Sequence, residues 1–221
     1  MENEQYLFIL TSTINTPHGL IDPKTRFQQT LESIKSIRDK VPNSIVLLVE
    51  NSFDLPPDVE KILADSVDYY IYIGKRRDII ALNRDGVKGG GEAYMLLVAF
   101  DFIKSNNVKA NRIFKLSGRY QLSYKFDISL YDNMNANYVF KTRDKHEYQK
   151  DCFLHTRMWS FGYSILEETI ELISKSFGTL FSENITIEES IYKHIDKTKL
   201  TEINRIYCEG YIAPWNELII D

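Results

Sequence analysis

The chain has 221 residues, of which 43% are hydrophobic and 26% charged, and this ordinary globular composition excludes a disordered chain, a collagen-like repeat and a disulfide scaffold. The formal net charge of −4 provides no global positive field, so nucleic acid is not an expected partner. Two distant cysteines (Cys152 and Cys208), no signal-peptide pattern at the N-terminus and no apolar run of membrane length predict a cytoplasmic protein.

The first half of the chain alternates short apolar runs with amphipathic stretches. Strands are predicted at Tyr6–Leu10, Ser44–Val49, Tyr69–Ile73 and Arg112–Leu116, and helices after the Asp22-Pro23 cap, at Pro57–Asp65 and at Gly90–Asn106. Continuous apolar strands separated by helices are typical of a mostly parallel sheet that is covered on both faces.

The second half has longer strands of mixed alternation and two further helices. The predicted elements are the strands Asn137–Thr142 and Phe153–Phe161, the helices Ser164–Ser176 and Ile187–Ile195, and a last strand at Arg205–Ala213. No linker or repeat separates this half from the first. We therefore expect a single α/β domain with a central, mainly parallel (mixed) sheet, in which the second half adds an antiparallel element.

Three polar clusters follow predicted strands at their C-terminal ends. They are Thr11-Ser12-Thr13, Glu50-Asn51-Ser52 and Ser117-Gly118-Arg119-Tyr120. Ligands of open α/β sheets bind outside the carboxyl ends of the strands, so the three clusters are predicted to line one crevice. The alternative is that they are ordinary polar turns. Arg119 favours the crevice, because a guanidinium beside a glycine turn suits a phosphate.

The segment Lys88-Gly89-Gly90-Gly91 leads directly into the predicted helix at Gly90–Asn106. Free backbone N–H groups at a helix N-terminus, with Lys88 and Arg84 nearby, would form an anion site; a flexible loop is the alternative. The sequence contains no P-loop, no G-x-G-x-x-G and no G-x-S-x-G motif. Cys152 and His155 lack the second pair of ligands that a structural zinc site requires.

The helix predicted at Ile187–Ile195 begins with an acidic pair. Thr186 and Glu189 form a T-x-x-E capping box, which accounts for Glu189 and leaves Glu188 without a structural role. Acidic residues are also common in the first turn of a helix because of its dipole, so a catalytic role for either glutamate stays open.

The order of these segments resembles the GT-A family of nucleotide-sugar glycosyltransferases over roughly residues 6–195. The segment Phe114–Tyr120 is similar to that of bacterial and viral members that act in surface-polysaccharide synthesis. The resemblance implies a GT-A-like fold, a nucleotide-sugar donor bound by residues 1–120, and a glycan or lipid-linked glycan acceptor bound by residues 121–221. Peripheral membrane association would be compatible with such an acceptor.

The resemblance also assigns site residues. The donor-binding set is Thr11, Ser12, Thr13, Glu50, Asn51, Ser52, Lys88, Gly89, Ser117 and Arg119. The acceptor-side set is Tyr120, His155, Arg157 and Trp159. Tyr120, Trp159 and Trp215 would be platforms for sugar faces; packed core or rim aromatics are the alternative. Glu188 or Glu189 would be the general base that takes the proton of the acceptor hydroxyl.

One departure from the family concerns the metal. Most members carry an Asp-x-Asp motif after the strand equivalent to Arg112–Leu116, whereas this chain has Ser117-Gly118-Arg119. No metal ligand is assigned, and cationic side chains are expected to neutralise the leaving diphosphate, first Arg119 and Lys88 and then Arg143 and Arg157. Asp85 and Asp144 leave room for a displaced manganese or magnesium site.

Two other classes of function fit the same sequence features. One is a non-catalytic nucleotide- or glycan-binding module of the same fold, and the other is a nucleotidyltransferase. Release of a nucleoside diphosphate, of pyrophosphate, or of neither product distinguishes the three.

Overall fold

A computed structural model describes residues 5–16, 21–84, 89–142, 153–212 and 217–220. The strands are β1 (Tyr6–Ser12), β2 (Ile45–Glu50), β3 (Tyr69–Tyr72), β4 (Arg112–Ser117), β5 (Tyr120–Leu122), β6 (Tyr138–Lys141), β7 (Met158–Gly162), β8 (Leu200–Ile203), β9 (Cys208–Ile212) and β10 (Glu217–Ile220). The α-helices are α1 (Pro23–Lys40), α2 (Pro57–Asp65), α3 (Arg77–Arg84), α4 (Gly90–Ser105), α5 (Leu166–Glu183) and α6 (Ile187–His194).

Seven of the strands form one sheet in the order β3-β2-β1-β4-β7-β6-β8. The first four strands in this order are parallel, β7 is antiparallel to its neighbours β4 and β6, and β8 is parallel to β6. A smaller antiparallel sheet, β10-β9-β5, continues from the end of β4. This confirms the predicted α/β class, the mainly parallel sheet and the antiparallel element in the second half.

The sheet is buried on both faces, as its continuous apolar strands require. In β1, Leu7 and Ile9 pack into the core on one face, whereas Phe8 and Leu10 pack into a second core on the other. Because successive side chains of a strand point to opposite faces, one strand serves both cores. Because β1 pairs in parallel with both β2 and β4, the carboxyl ends of these three strands lie together at one edge of the sheet.

Local signals account for the ends of several helices. The Asp22 carboxylate accepts a hydrogen bond from the Thr25 backbone N–H at 3.0 Å, and Pro23 occupies the first turn of α1, as predicted. Helix α5 ends at Asn184, whose left-handed backbone (φ 52°) closes the last turn. Helix α5 runs seven residues beyond the predicted end at Ser176.

The predicted strand Phe153–Phe161 is wrong in its first half. The strand begins only at Met158, and residues 153–157 are irregular. The backbone of this segment forms hydrogen bonds with other elements, since the Leu154 N–H donates to the Glu188 carbonyl and the Thr156 carbonyl accepts from Lys115. Apolar alternation predicted a ladder here, but contacts with other elements replace it.

Close backbone packing at Gly74 predicts a large stability effect. A Cβ atom at Gly74 would lie 1.7 Å from the Ser52 carbonyl oxygen, so the backbone must shift in Gly74→Ala. We expect its free energy of unfolding to fall by about 3 kcal/mol in urea denaturation. Gly178→Ala is the control, because nothing lies within 4 Å of that exposed position in α5, and a gain of about 0.5–1 kcal/mol is expected there. Equal stability of the two variants would contradict the prediction.

No helix in the described part of the chain is both long enough and apolar enough to cross a bilayer.

Candidate functional site

A crevice of about 370 Å³ lies at the carboxyl edge of β1, β2 and β4. The residues from the three strand-end clusters that line it are Thr11, Ser12, Thr13, Asn51, Ser117, Gly118 and Arg119. The structure thus brings together, in one crevice, parts of all three clusters that the sequence analysis singled out.

Backbone hydrogen bonds hold the strand-end loops against one another. The Asn51 N–H donates to the Ser12 carbonyl at 3.0 Å, and the Gly118 N–H donates to the Thr11 carbonyl at 2.8 Å. The Thr13 hydroxyl also bonds to the Asn51 side-chain oxygen. Gly118 suits this approach, because a Cβ there would lie 3.2 Å from the Ser12 Cβ and from the Thr11 carbonyl oxygen, closer than ordinary van der Waals contact.

Two arginines line the crevice, and one of them was not foreseen. Arg26, in the first turns of α1, is only 8% exposed, and Arg119 follows β4. In both guanidinium groups the buried Nε has no hydrogen-bond partner, and neither group forms an ion pair with a carboxylate in the described part of the chain. Burial and the positive charge of Arg119 lower the pKa of Arg26 to about 10. Two guanidinium groups that line one crevice without carboxylate partners in the described residues have the chemistry to bind an anion.

Sequence reasoning missed Arg26 for a physical reason. It stands four residues after the helix cap Asp22, on a helix whose other first-turn side chains face solvent. Only the packing of α1 against the strand-end loops turns this side chain inward, beside Thr30. The one signal available in the sequence was a basic residue in the first turn, where a cation opposes the helix dipole.

Glu50 and Ser52, two members of the predicted donor-binding set, do not line the crevice, because both side chains are fully buried. The Glu50 Oε1 accepts from the Ser52 N–H at 2.8 Å and from the Ile14 N–H at 3.3 Å. The Ser52 hydroxyl bonds to the same carboxylate and accepts from the Asn15 N–H at 2.8 Å. Both residues therefore hold the loops that shape the crevice, and direct contact with a nucleoside stays a prediction for both.

Burial of Glu50 predicts a pH dependence of stability. Burial raises its pKa above the ordinary value of 4.5, even though hydrogen bonds from Ser12 and Ser52 oppose this. The folded state then binds the Glu50 proton more tightly than the unfolded state does. The stability that this proton contributes is therefore complete below pH 4.5 and is lost as the pH rises through the raised pKa. We expect the melting temperature of Glu50→Gln to fall less than that of the wild type over this rise. Parallel melting curves against pH would contradict this.

Two predicted acceptor-side aromatics belong to the hydrophobic core. Trp159 is 1% exposed and stacks on Phe140 with ring centroids 5.1 Å apart. Tyr120 is also 1% exposed and packs in the core between the sheet and α1. The prediction that these rings form platforms for sugars is wrong, because a sugar face cannot reach them.

The other two acceptor-side residues are buried as well. His155 and Arg157 are 3% and 9% exposed, and the Arg157 Nη2 lies 3.1 Å from the His155 Nδ1. Their side chains stand on either side of Thr156 in the irregular segment before β7. Contact with an acceptor stays a prediction for both.

The acidic pair of α6 divides its roles as the sequence suggested. Thr186 and Glu189 form the capping box: the Glu189 Oε2 accepts from the Thr186 N–H at 2.9 Å, and the Thr186 Oγ1 accepts from the Glu189 N–H at 3.3 Å. Glu188 takes no part in the cap, and its Oε1 accepts from the Thr156 hydroxyl at 2.9 Å. Burial, followed by the charge of Glu92, raises the pKa of Glu188, which favours this residue as a proton carrier.

Gly89 brings the start of α6 to the start of α4. Its left-handed backbone (φ 87°) caps α4 and lies against Ile187, so that an added Cβ would come within 2.6 Å of the Ile187 Cβ. Gly89 and Glu92 both line the crevice. The start of α6, which carries Glu188, is therefore packed against one wall of the crevice.

Several residues that the sequence analysis singled out lie outside the described residues or side chains. They are Lys88, Arg84, Asp85, Arg143, Asp144 and Trp215. Within the described residues, no group of three His, Cys, Asp or Glu side chains is placed to hold a metal ion.

Three solved structures of similar fold are glycosyltransferases. One, from the glycosylation of the major capsid of PBCV-1, aligns with a TM-score of 0.50 at 10% identity over 89% of this chain and 81% of its own. GlyE of Streptococcus pneumoniae TIGR4 aligns with a TM-score of 0.50 at 10% identity over 91% of this chain and 45% of its own. The bifunctional glycosyltransferase WbbM aligns with a TM-score of 0.53 at 8% identity over 91% of this chain and 39% of its own. This chain thus spans less than half of the latter two.

No known family profile and no curated protein matches the sequence. At identities of 8–10% the likeness establishes the fold, and it confirms the GT-A-like architecture that the resemblance implied.

Proposed function

We propose that this protein is a glycosyltransferase that moves a sugar from a nucleoside-diphosphate sugar to a hydroxyl of a glycan or lipid-linked glycan. The observation that carries the proposal is the pair Arg26 and Arg119, two guanidinium groups without carboxylate partners in the described chain, facing a crevice at the carboxyl edge of a GT-A-like sheet. A diphosphate would be the negatively charged partner that these two guanidinium groups lack in the described residues.

The rest of the crevice fits such a donor. Hydroxyl groups of Ser12, Thr13, Thr30 and Ser117 line it. The Ser117 Oγ accepts from the Lys115 ammonium, so its own proton can be donated to a phosphate or ribose oxygen. The carboxylate of Glu92 lies in the same crevice, and its charge would repel a phosphate. We therefore place the diphosphate at the arginines and the transferred sugar towards Glu92.

In the proposed reaction Glu188 removes the proton of the acceptor hydroxyl, and the oxygen attacks the anomeric carbon of the donor. The bond from that carbon to the phosphate oxygen breaks, and its electron pair leaves with the nucleoside diphosphate. Arg26 and Arg119 stabilise the charge that develops on this leaving group. A base on the face opposite the diphosphate would give inversion, and a retaining route stays an alternative.

The arginine pair predicts that transfer does not require a divalent metal. Two guanidinium charges replace the cation that an Asp-x-Asp motif would hold. We expect transfer rates with excess chelator to stay within about twofold of those with manganese or magnesium. Complete loss in chelator, restored by either metal, would contradict this and point to Asp85 and Asp144.

A thermal-shift screen tests donor binding directly. UDP-, GDP-, CMP- and dTDP-sugars are added with and without manganese, and a donor at 100 times its Kd should raise the unfolding free energy by about 2.7 kcal/mol. The products then separate the alternatives. Nucleoside diphosphate supports transfer, pyrophosphate indicates a nucleotidyltransferase, and binding without turnover indicates a non-catalytic module. Cytoplasmic location and peripheral membrane association stay predictions.

A further inference from the structure

A fully buried lysine lies between the crevice and the proposed base. Lys115, in the middle of β4, has no exposed surface, and its ammonium donates to the Glu92 Oε1 at 2.5 Å, the Ser117 Oγ at 2.7 Å and the Thr156 carbonyl at 2.6 Å. These three bonds use all the N–H groups of the ammonium. One cation thus joins the first turn of α4, the end of β4 and the segment before β7.

Thr156 connects this ammonium to Glu188. Its carbonyl accepts from Lys115, and its hydroxyl donates to the Glu188 Oε1 at 2.9 Å. Glu92, the ion-pair partner of Lys115, lines the crevice and keeps 21% of its side chain exposed. The crevice carboxylate, the buried ammonium and the proposed base therefore form one connected cluster, Glu92–Lys115–Thr156–Glu188.

We propose that Lys115 is a positioning residue that keeps Glu188 ionised and aimed, and that Glu92 couples the charge of the donor crevice to Glu188 through it. This rests on the proposed function, in which Glu188 must be a carboxylate before it can accept a proton. Glu92 is ion-paired with the ammonium and Glu188 is connected to it through Thr156, so a change of charge at one member of the cluster affects the others.

The directions of the electrostatic effects agree with this arrangement. Burial raises the pKa of Glu188 and the charge of Glu92 raises it further, whereas a backbone hydrogen bond, the Thr156 hydroxyl and then the charge of Lys115 lower it. Lys115 is the cation among these opposing groups, and it also holds the Thr156 carbonyl. Without it, Glu188 would lose one of the groups that favour its ionised form, and its pKa would rise further.

Other charged groups surround the cluster without replacing Lys115. His155 and Arg157 flank Thr156 and contact each other, and Glu189 is held in the helix cap. Arg119 acts on the cluster through Lys115. Burial lowers the pKa of Lys115, Glu92 raises it, and the positive charge of Arg119 has a smaller lowering effect.

The test is a carboxyl-carbon NMR titration of the full chain without any ligand, in which the Glu188 signal is identified by its loss in Glu188→Gln. We expect Lys115→Met to move the Glu188 titration to higher pH and Glu92→Gln to move it to lower pH. The double variant, which restores the charge balance, should return it towards the wild-type position. Lys104→Met, which removes an exposed lysine paired with Glu167 on the surface, is the control and should leave it unchanged.

Shifts in the same direction for both single variants, or no shift in a folded Glu92→Gln, would overturn the proposal. Glu92→Gln keeps the test valid if Lys115→Met fails to fold, because Glu92 is partly exposed. The titration needs no donor, so it separates this proposal from the proposed function, which fails if no nucleotide sugar binds. If transfer is established, the acid limb of kcat/KM should move in the same two opposite directions.

Discussion

Arg119→Ala is expected to lower kcat/KM for sugar transfer by about 10²–10³-fold, the effect of losing one preorganised group at a developing charge. Arg26→Ala should have a similar effect, because both guanidinium groups face the same crevice without carboxylate partners in the described chain. The loss of binding affinity should be confined to ligands that carry the diphosphate. Calorimetric titration should therefore show weaker binding of the nucleoside diphosphate but little change for the nucleoside alone.

The same helix offers a matched control. Arg38 lies near the far end of α1 and is ion-paired with Asp68 at 2.7 Å, away from the crevice. Arg38→Ala should leave kcat/KM within about twofold of the wild type, since a partly exposed ion pair contributes about 0–1 kcal/mol to stability. Equal losses in Arg119→Ala and Arg38→Ala would show a general folding defect, and unchanged transfer in both Arg26→Ala and Arg119→Ala would remove the diphosphate from this crevice.

The sheet could be predicted from local patterns. Runs such as residues 7–10 and 46–49 are apolar because both of their faces are buried, and the polar residues that follow mark the carboxyl ends. Parallel pairing then brings those ends to one edge, which places the crevice before any coordinates are known.

The direction in which single side chains point could not be predicted in the same way. Glu50 has the sequence context of a ligand contact, yet two backbone N–H groups of its own loops use its carboxylate. Trp159 and Tyr120 were assigned to an acceptor because aromatic rings stack on sugars, but both side chains pack into the core. Lys115 is also buried, and its role depends on α4 and the segment before β7, which are far away in sequence.

Glu188→Gln is expected to lower the rate of transfer by about 10²–10⁴-fold, the usual contribution of a general base, while donor binding and the melting temperature change little. The amide cannot take the acceptor proton, but it can still accept the hydrogen bond that the carboxylate receives from Thr156. Because burial and then the charge of Glu92 raise the pKa of Glu188, the acid limb of the pH–rate profile should lie above 4.5. Rates should rise with pH through this limb, since the ionised form is the base.

Glu189→Gln is the matched control for the proposed base, because glutamine fills the same position of a capping box. The cap that joins Thr186 and Glu189 should persist, with transfer and stability close to the wild type. Loss of transfer in Glu189→Gln with a normal rate in Glu188→Gln would reverse the two assignments. If both variants keep near-normal rates on the true acceptor, neither residue is the base, and the acidic residues before Phe153 become the candidates: Asp144, Glu147 and Asp151, all outside the described residues.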